Sequence, residues 1–162
     1  MPAVSLPAPL AWPEEAVRAD WIDRNGHLNL AYYVVIFDHG TDAVFDALGI
    51  GEAYTAETGR SLFVAETHIL YEREVRAGER VRVGSQVLGA DAKRLHLAHE
   101  MLRVGDGVRA AMQEVLAVHV DMASRRGARF PPDRHAALAA AVAAHAGLAR
   151  PAGLGRRIGH LG

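Results

Sequence analysis

The chain contains no cysteine, which removes disulfide bonds, thiolate nucleophiles and zinc–cysteine sites from consideration. It also lacks an excess of either charge, since 18 basic and 19 acidic residues leave a formal net charge of −1. A dedicated nucleic-acid-binding protein needs a concentrated positive surface, so no nucleic-acid partner is expected. No apolar run approaches the ~20 residues that cross a bilayer, and the first residues do not resemble a signal peptide. The sequence therefore predicts a cytoplasmic protein with no membrane partner.

The 162 residues, half of them hydrophobic, suit one globular domain. Residues 1–14 are proline-rich and predict an extended arm, and residues 15–22 predict a first strand. A helix is predicted from the N-cap Asn29 to the stop signal Gly49. Gly40 inside this helix predicts close packing against a sheet. The helix has one apolar face, which consists of Leu30, Tyr33, Phe37, Val44 and Leu48.

The period then changes to two, which predicts a long strand over residues 61–75 and three further strands joined by short turns. One predicted face of the long strand contains Phe63, Ala65, Thr67, Ile69, Tyr71 and Val75, and the other contains Leu62, Val64, Glu66, His68, Leu70 and Glu72. The pattern predicts an α+β fold in which a five-stranded antiparallel sheet wraps around one long helix over residues 15–122. Residues 123–162 predict a basic connector, an Ala-rich helix and a mobile tail. The sheet's outer side is partly apolar, so a partner subunit is expected to cover it.

The segment most informative about chemistry is the loop that precedes the long helix. Asp23, Asn25 and His27 alternate in this loop, directly before the helix N-terminus. Unpaired amide groups and the positive end of the helix dipole at this end can stabilise an oxyanion. A carboxylate beside them can attack a thioester carbonyl or deprotonate a water, and the amides of Leu30 and Ala31 would polarise the carbonyl oxygen.

The stretch D-R-N-G-H-L-N-L-A-Y-Y, followed by a helix and a strand meander, resembles the hotdog-fold thioesterase superfamily. The spacing of Asp23 and Gly26 resembles the 4-hydroxybenzoyl-CoA thioesterase group, and Asp23, Asn25 and His27 resemble the catalytic network of plant acyl-ACP thioesterases. GHLN followed by AYY, together with AETHILYE and GADAKRLHLAHEM, is most similar to betainyl-CoA-type thioesterases of carnitine degradation. The resemblance implies hydrolysis of a small acyl-CoA, betainyl-CoA being one candidate, by a homodimer or homotetramer whose active site lies near the subunit interface. It implies no cofactor.

Further candidate residues lie outside the loop. Tyr33 is a candidate substrate-binding residue, and so are Glu66 and His68, which share one predicted strand face. Lys93 and Arg94 are candidates for binding the CoA phosphates. A metal site is not expected, because the most closely spaced histidines of the strands, three residues apart at positions 96 and 99, cannot share a strand face.

Several interpretations stay open at this point. Asp23 can cap a turn instead of catalysing, and a catalytic Asp23 can act as nucleophile or as general base. The chain can also be a non-catalytic acyl-CoA-binding module, because a fold does not determine a function. An enoyl-CoA hydratase is less favoured, because the hotdog hydratases resemble D-x-N-x-x-H whereas this chain has one residue fewer before His27.

Overall fold

The computed structural model describes residues 8–159. Predictions for the first seven residues of the arm and for the last three of the tail fall outside this range. The helices are α1 (Leu30–Ala47), α2 (Glu52–Thr58) and α3 (Pro132–His145), with a short 3-10 helix at Ala19–Trp21. The strands are β1 (Leu10–Ala11), β2 (Glu15–Ala16), β3 (Arg60–Tyr71), β4 (Arg80–Ala90), β5 (Arg94–Arg103), β6 (Arg109–Asp121) and β7 (Arg126–Gly127).

The sheet is antiparallel, in the order β1-β4-β5-β6-β3, with β2 also paired to β4 and β7 to β6. The four long strands β3 to β6 form the predicted meander. The fifth strand is split into β1 and β2 at Pro13, which has no amide hydrogen to donate. The sheet curves around α1, whose buried side packs into two apolar clusters. None of the helices in the described range is long and apolar enough to span a membrane.

Helix α1 begins and ends where the sequence predicts. The Asn29 side chain accepts a hydrogen bond from the Ala31 amide at 2.9 Å, and Gly49 follows the helix with φ +69°. The expected close packing at Gly40 is confirmed, because a Cβ there would lie 2.9 Å from Cγ1 of Val83. The placement of Leu30 on the apolar face is wrong: its side chain is 64% exposed. Leu30 is the first helical residue, ahead of the turns that pack on the sheet.

The predicted first strand over residues 15–22 is too long. Only Glu15–Ala16 pairs with β4, and residues 19–21 form the 3-10 helix. The reason is that β4 starts at Arg80, which pairs with Ala16, so the following residues have no further strand to pair with.

A β-bulge at Ala65 interrupts the alternation of side chains along β3. The predicted faces are therefore wrong for Phe63 and Val64, which precede the bulge, relative to the residues that follow it. Residues paired across an antiparallel sheet share a face. Val64 pairs with Ala117 and Thr67 with Val115, so these four residues share the face toward α1. An extra residue inverts the alternation, and hydrophobic periodicity alone does not reveal it.

The chain after β6 packs around the sheet. Leu138 and Ala141 of α3 are buried in the core, and His145 Nδ1 accepts a hydrogen bond from the Val87 amide of β4 at 2.9 Å. The segment after α3 then crosses the outer face of the sheet, where Gln86 Nε2 donates to the Ala149 carbonyl. The outer face expected to meet a partner subunit is thus partly covered by the chain's own C-terminal segment.

Candidate active site

The loop before α1 is a tight turn that fixes Asp23. The Asp23 amide donates to the His27 carbonyl, and its carbonyl accepts from the Gly26 amide, both at 3.0 Å. Oδ1 of Asp23 accepts from the Asn25 amide at 2.8 Å. Asp23 therefore caps a turn, which was one of the two interpretations of this residue. The cap occupies only one of its carboxylate oxygens, Oδ1. Oδ2 accepts no hydrogen bond from the described residues.

The neighbouring His27 is partly buried. Its Nδ1 lies 3.1 Å from the Leu28 carbonyl oxygen, so Nδ1–H is the donor and a neutral ring keeps Nε2 as an acceptor. Leu28 in turn donates its amide to the Val75 carbonyl at 2.7 Å, which joins the loop to the segment after β3. The loop is consequently held from two sides.

The first turn of α1 begins at the Leu30 amide. The Ala31 amide donates to the Asn29 side chain, so its proposed role at the oxyanion conflicts with the cap. The Leu30 amide has no acceptor among the described residues. It lies at the positive end of an 18-residue helix, where a developing negative charge is stabilised.

A cleft of about 330 Å³ connects these groups. Its lining consists of Asp23, Asn25, His27, Leu28, Leu30, Tyr33, Tyr71, Glu72, Arg73 and Glu74. The Tyr33 hydroxyl donates to the Arg73 carbonyl at 3.0 Å, and the Tyr71 hydroxyl donates to the Leu30 carbonyl at 3.3 Å. Burial raises the pKa of both phenols, so both stay protonated donors. The structure thus brings Asp23, Asn25, His27, Leu30 and Tyr33 together.

Glu66 and His68 do not lie in this cleft. They pair with Leu116 and Glu114 on the outer face of the sheet and line a separate cavity of about 740 Å³. There His96 Nε2 lies 2.7 Å from Glu114 Oε1. This cavity is larger, but it contains neither Asp23 nor the helix N-terminus, so size does not identify it as the site of chemistry. Within one chain, the sheet separates Glu66 and His68 from Asp23.

Lys93 and Arg94 also lie apart from the cleft, at the turn between β4 and β5. Arg94 Nη2 lies 2.6 Å from Asp91 Oδ2. The Arg94 hydrogen bond and two amide hydrogen bonds lower the pKa of Asp91 to about 2. Most of the Arg94 charge is therefore already matched, whereas Lys93 has no ion pair among the described residues.

Sequence reasoning missed the pair that fixes the far wall of the cleft. Arg109 Nε donates to Glu72 Oε2 at 2.9 Å, and Nη1 donates to Glu100 Oε2 at 2.7 Å. The Ala110 carbonyl accepts the amides of both Glu72 and Arg73. No sequence signal links Glu72 with Arg109, because they are far apart in the chain and meet only through the β3–β6 register.

A model of the thioesterase-like superfamily matches residues 17–141 of the chain. The chain belongs to this thioesterase family. It is 38% identical over 146 residues to the betainyl-CoA thioesterase of Pseudomonas aeruginosa, covering 90% of this chain and 92% of the relative. It is also 38% identical over 153 residues to an L-carnitine dehydrogenase/betainyl-CoA thioesterase of Ruegeria pomeroyi, which covers 94% of this chain and only 31% of that longer protein.

The fold agrees with this assignment. The crystal structure of a putative thioesterase from Pseudomonas putida KT2440 superposes with a TM-score of 0.81 at 35% identity, covering 97% of this chain and 99% of the other. The hotdog fold and the thioesterase family predicted from the sequence are both confirmed. The roles of individual residues stay predictions.

Proposed function

We propose that this thioesterase hydrolyses a small acyl-CoA to the free acid and CoA, with Asp23 as its catalytic carboxylate. One observation carries the proposal: Asp23 and Leu30 line the same cleft, and neither Oδ2 of Asp23 nor the Leu30 amide has a hydrogen-bond partner among the described residues. A thioester carbonyl in this cleft would meet a base or nucleophile and an oxyanion donor together. Asn25 and His27 would orient the water or the carbonyl.

Two routes use this geometry. In the first, Asp23 takes a proton from water as the water oxygen attacks the carbonyl carbon. The C–S bond then breaks, and the proton passes to the CoA thiolate. In the second, Asp23 attacks the carbonyl itself and releases CoA thiolate. Water then hydrolyses the resulting anhydride. In both, negative charge develops on the carbonyl oxygen beside the Leu30 amide.

A single turnover in ¹⁸O-labelled water, with enzyme in excess, identifies a nucleophilic route in which water attacks the aspartyl carbonyl of the anhydride. General-base catalysis places ¹⁸O in the acid product during the first turnover. The nucleophilic route gives a first product whose added oxygen comes from Asp23, if water attacks the enzyme-derived carbonyl, and leaves ¹⁸O in the Asp23 peptide. Mass spectrometry measures the ¹⁸O content of the acid product and of the peptide that contains Asp23.

The proposed acyl group is small, because the cleft of about 330 Å³ lies at the lower end of the usual range for ligand pockets. Betainyl-CoA, a thioester linked to carnitine degradation, is the first candidate because two relatives at 38% identity bear its name. Lys93 stays the better candidate of the two for the CoA phosphates, since Asp91 already pairs with Arg94.

The test is a panel of thioesters assayed by free-thiol release: betainyl-CoA, 4-hydroxybenzoyl-CoA, and short and long straight-chain acyl-CoAs. We expect turnover of at least one small ester and little turnover of the long chains. A folded protein that binds acyl-CoA but turns over no ester would contradict the proposal and favour the binding-module interpretation.

We further propose that the chain works as a homodimer or a tetramer of such dimers, paired along β3. Within residues 8–159 this strand pairs only with β6, on one side, so its other edge is open along its twelve residues. Exposed apolar side chains accompany the open edge on β3 and on the adjacent face of α1. They are Val34, Val35, Phe63 and Val64, with Leu30 and Tyr71 lying where this patch meets the cleft. Open edges of this kind are normally covered.

Because Tyr71 and Leu30 also line the cleft, a second copy would lie close to the active site. Light scattering after size exclusion should show a dimer or tetramer for the wild type and a smaller species for Val35→Glu. A monomeric wild type at micromolar concentration would refute this part of the proposal. Ala139→Glu, on the exposed side of α3, is the matched control.

A further inference from the structure

We infer that Tyr71 is a specificity-determining residue of this cleft, and that its ring selects an acyl group with a quaternary ammonium next to the thioester. The inference rests on the proposed function. Tyr71 keeps 47% of its surface exposed, whereas the neighbouring Tyr33 is 3% exposed. Tyr71 therefore presents most of the accessible aromatic surface of the cleft.

The ring of Tyr71 is held in place. Its hydroxyl donates to the Leu30 carbonyl at 3.3 Å. The ring of Tyr33 stands nearly perpendicular to it, with an interplanar angle of 85° and centroids 5.2 Å apart. Tyr33 is itself anchored through its hydroxyl to the Arg73 carbonyl. Tyr33 supports Tyr71 on one side and leaves the rest open, so the aromatic surface is preorganised for a ligand.

The reacting end of the cleft carries a negative charge. Its lining holds the carboxylates of Asp23, Glu72 and Glu74 against the guanidinium of Arg73. Glu72 and Glu74 are matched by arginines outside the lining, Arg109 and Arg76. Neither Asp23 nor Arg73 has an ion pair among the described residues, so the lining is close to neutral overall and the charge at its reacting end is the Asp23 carboxylate. A tetraalkylammonium cannot donate hydrogen bonds, and it is recognised by aromatic faces and nearby negative charge.

The position of the cation follows from the chemistry of the substrate. In an acyl group where one methylene separates the ammonium from the carbonyl, the cation must lie within the cleft whenever the carbonyl lies beside Asp23. Tyr71 and Leu30 line the same cleft as Asp23, so they are among the groups that such a cation can contact. Selection therefore takes place at the reacting end of the substrate and not at a remote subsite.

An isosteric pair of thioesters tests the inference. Betainyl-CoA and 3,3-dimethylbutyryl-CoA differ only in a nitrogen in place of a quaternary carbon, so they share shape and differ in charge. We expect kcat/KM to be higher for betainyl-CoA. Tyr71→Leu should lower the ratio of the two kcat/KM values by roughly 2- to 30-fold, the span of a cation–π contact. Tyr71→Phe, which keeps the ring, should retain most of the ratio.

Tyr32→Leu is the matched control. Tyr32 stacks on Trp21, with ring centroids 5.3 Å apart, and does not line the cleft. In Tyr32→Leu, the ratio of the two kcat/KM values should equal that of the wild type. Equal turnover of the two esters, a preference for the neutral ester, or a ratio unchanged in Tyr71→Leu would overturn the inference while leaving the thioesterase proposal intact. Turnover of neither ester nor of any other panel member would overturn both.

Discussion

Acid should destabilise the protein through one buried histidine, His99 of β5. The ring is fully buried, with Nδ1 2.6 Å from Ser85 Oγ and Nε2 3.0 Å from Thr41 Oγ1. Thr41 donates its own hydrogen to the Phe37 carbonyl, so its oxygen accepts from Nε2–H. Trp12 Nε1 donates to Ser85, whose hydroxyl is then free to donate to Nδ1. This chain of hydrogen bonds is complete only when His99 is neutral.

The magnitude follows from the pKa. Burial lowers the pKa of His99 from 6.5 to about 4. Between these values the unfolded chain binds a proton that the folded chain does not, so the free energy of unfolding falls as the pH falls. The contribution of the neutral ring is complete above pH 6.5 and is lost as the pH approaches 4, for a total of about 3 kcal/mol.

Urea unfolding of wild type and His99→Gln at pH 7.5 and 4.5 measures this effect. A glutamine can accept from Ser85 and donate to Thr41 without titrating. Carboxylates and the other histidines titrate in both proteins, so the informative quantity is the difference between their losses of stability. We expect the wild type to lose about 2 to 3 kcal/mol more than the variant. The exposed His135→Gln serves as control and should behave as wild type. Equal losses in wild type and His99→Gln would refute the reasoning.

Three further predictions concern stability in urea at neutral pH. Asn29→Ala removes the cap of α1 and should cost about 1 kcal/mol; an unchanged midpoint would show that the cap is not needed. Gly40→Leu should destabilise by at least about 1 to 3 kcal/mol, because a Cβ already meets the stiff side chain of Val83 at 2.9 Å. Leu138→Ala should cost about 2 to 5 kcal/mol if α3 unfolds together with the sheet; a separate early transition would show that α3 is an independent appendage.

Features that depend on a few neighbouring residues were predicted correctly from the sequence. The Asp23 turn, the Asn29 cap and the stop at Gly49 are set by local backbone preferences, and each lies where expected. The clustering of Asp23, Asn25 and His27 follows from the same local geometry, because all three share one short loop. The resemblance to the hotdog-fold thioesterases supported the prediction of a sheet wrapped around the long helix.

Features that depend on register were not predictable in this way. The bulge at Ala65 moves Phe63 and Val64 to faces opposite those expected, because one inserted residue inverts an alternation of period two. Whether Glu66 lies near Asp23 depends on this pairing and on the side of the sheet that carries α1. The contact between Arg109 and Glu72 likewise forms only after β3 and β6 have aligned.

The central claim is that Asp23 performs the chemistry, and Asp23→Asn tests it most directly. The matched control is Asp20→Asn, an exposed aspartate three positions earlier whose partner is Arg18. On the preferred acyl-CoA, kcat of Asp23→Asn should fall by about 100- to 10,000-fold, with wild-type circular dichroism and unchanged CoA binding, whereas Asp20→Asn should stay close to wild type. A folded Asp23→Asn protein with wild-type kcat would contradict the account.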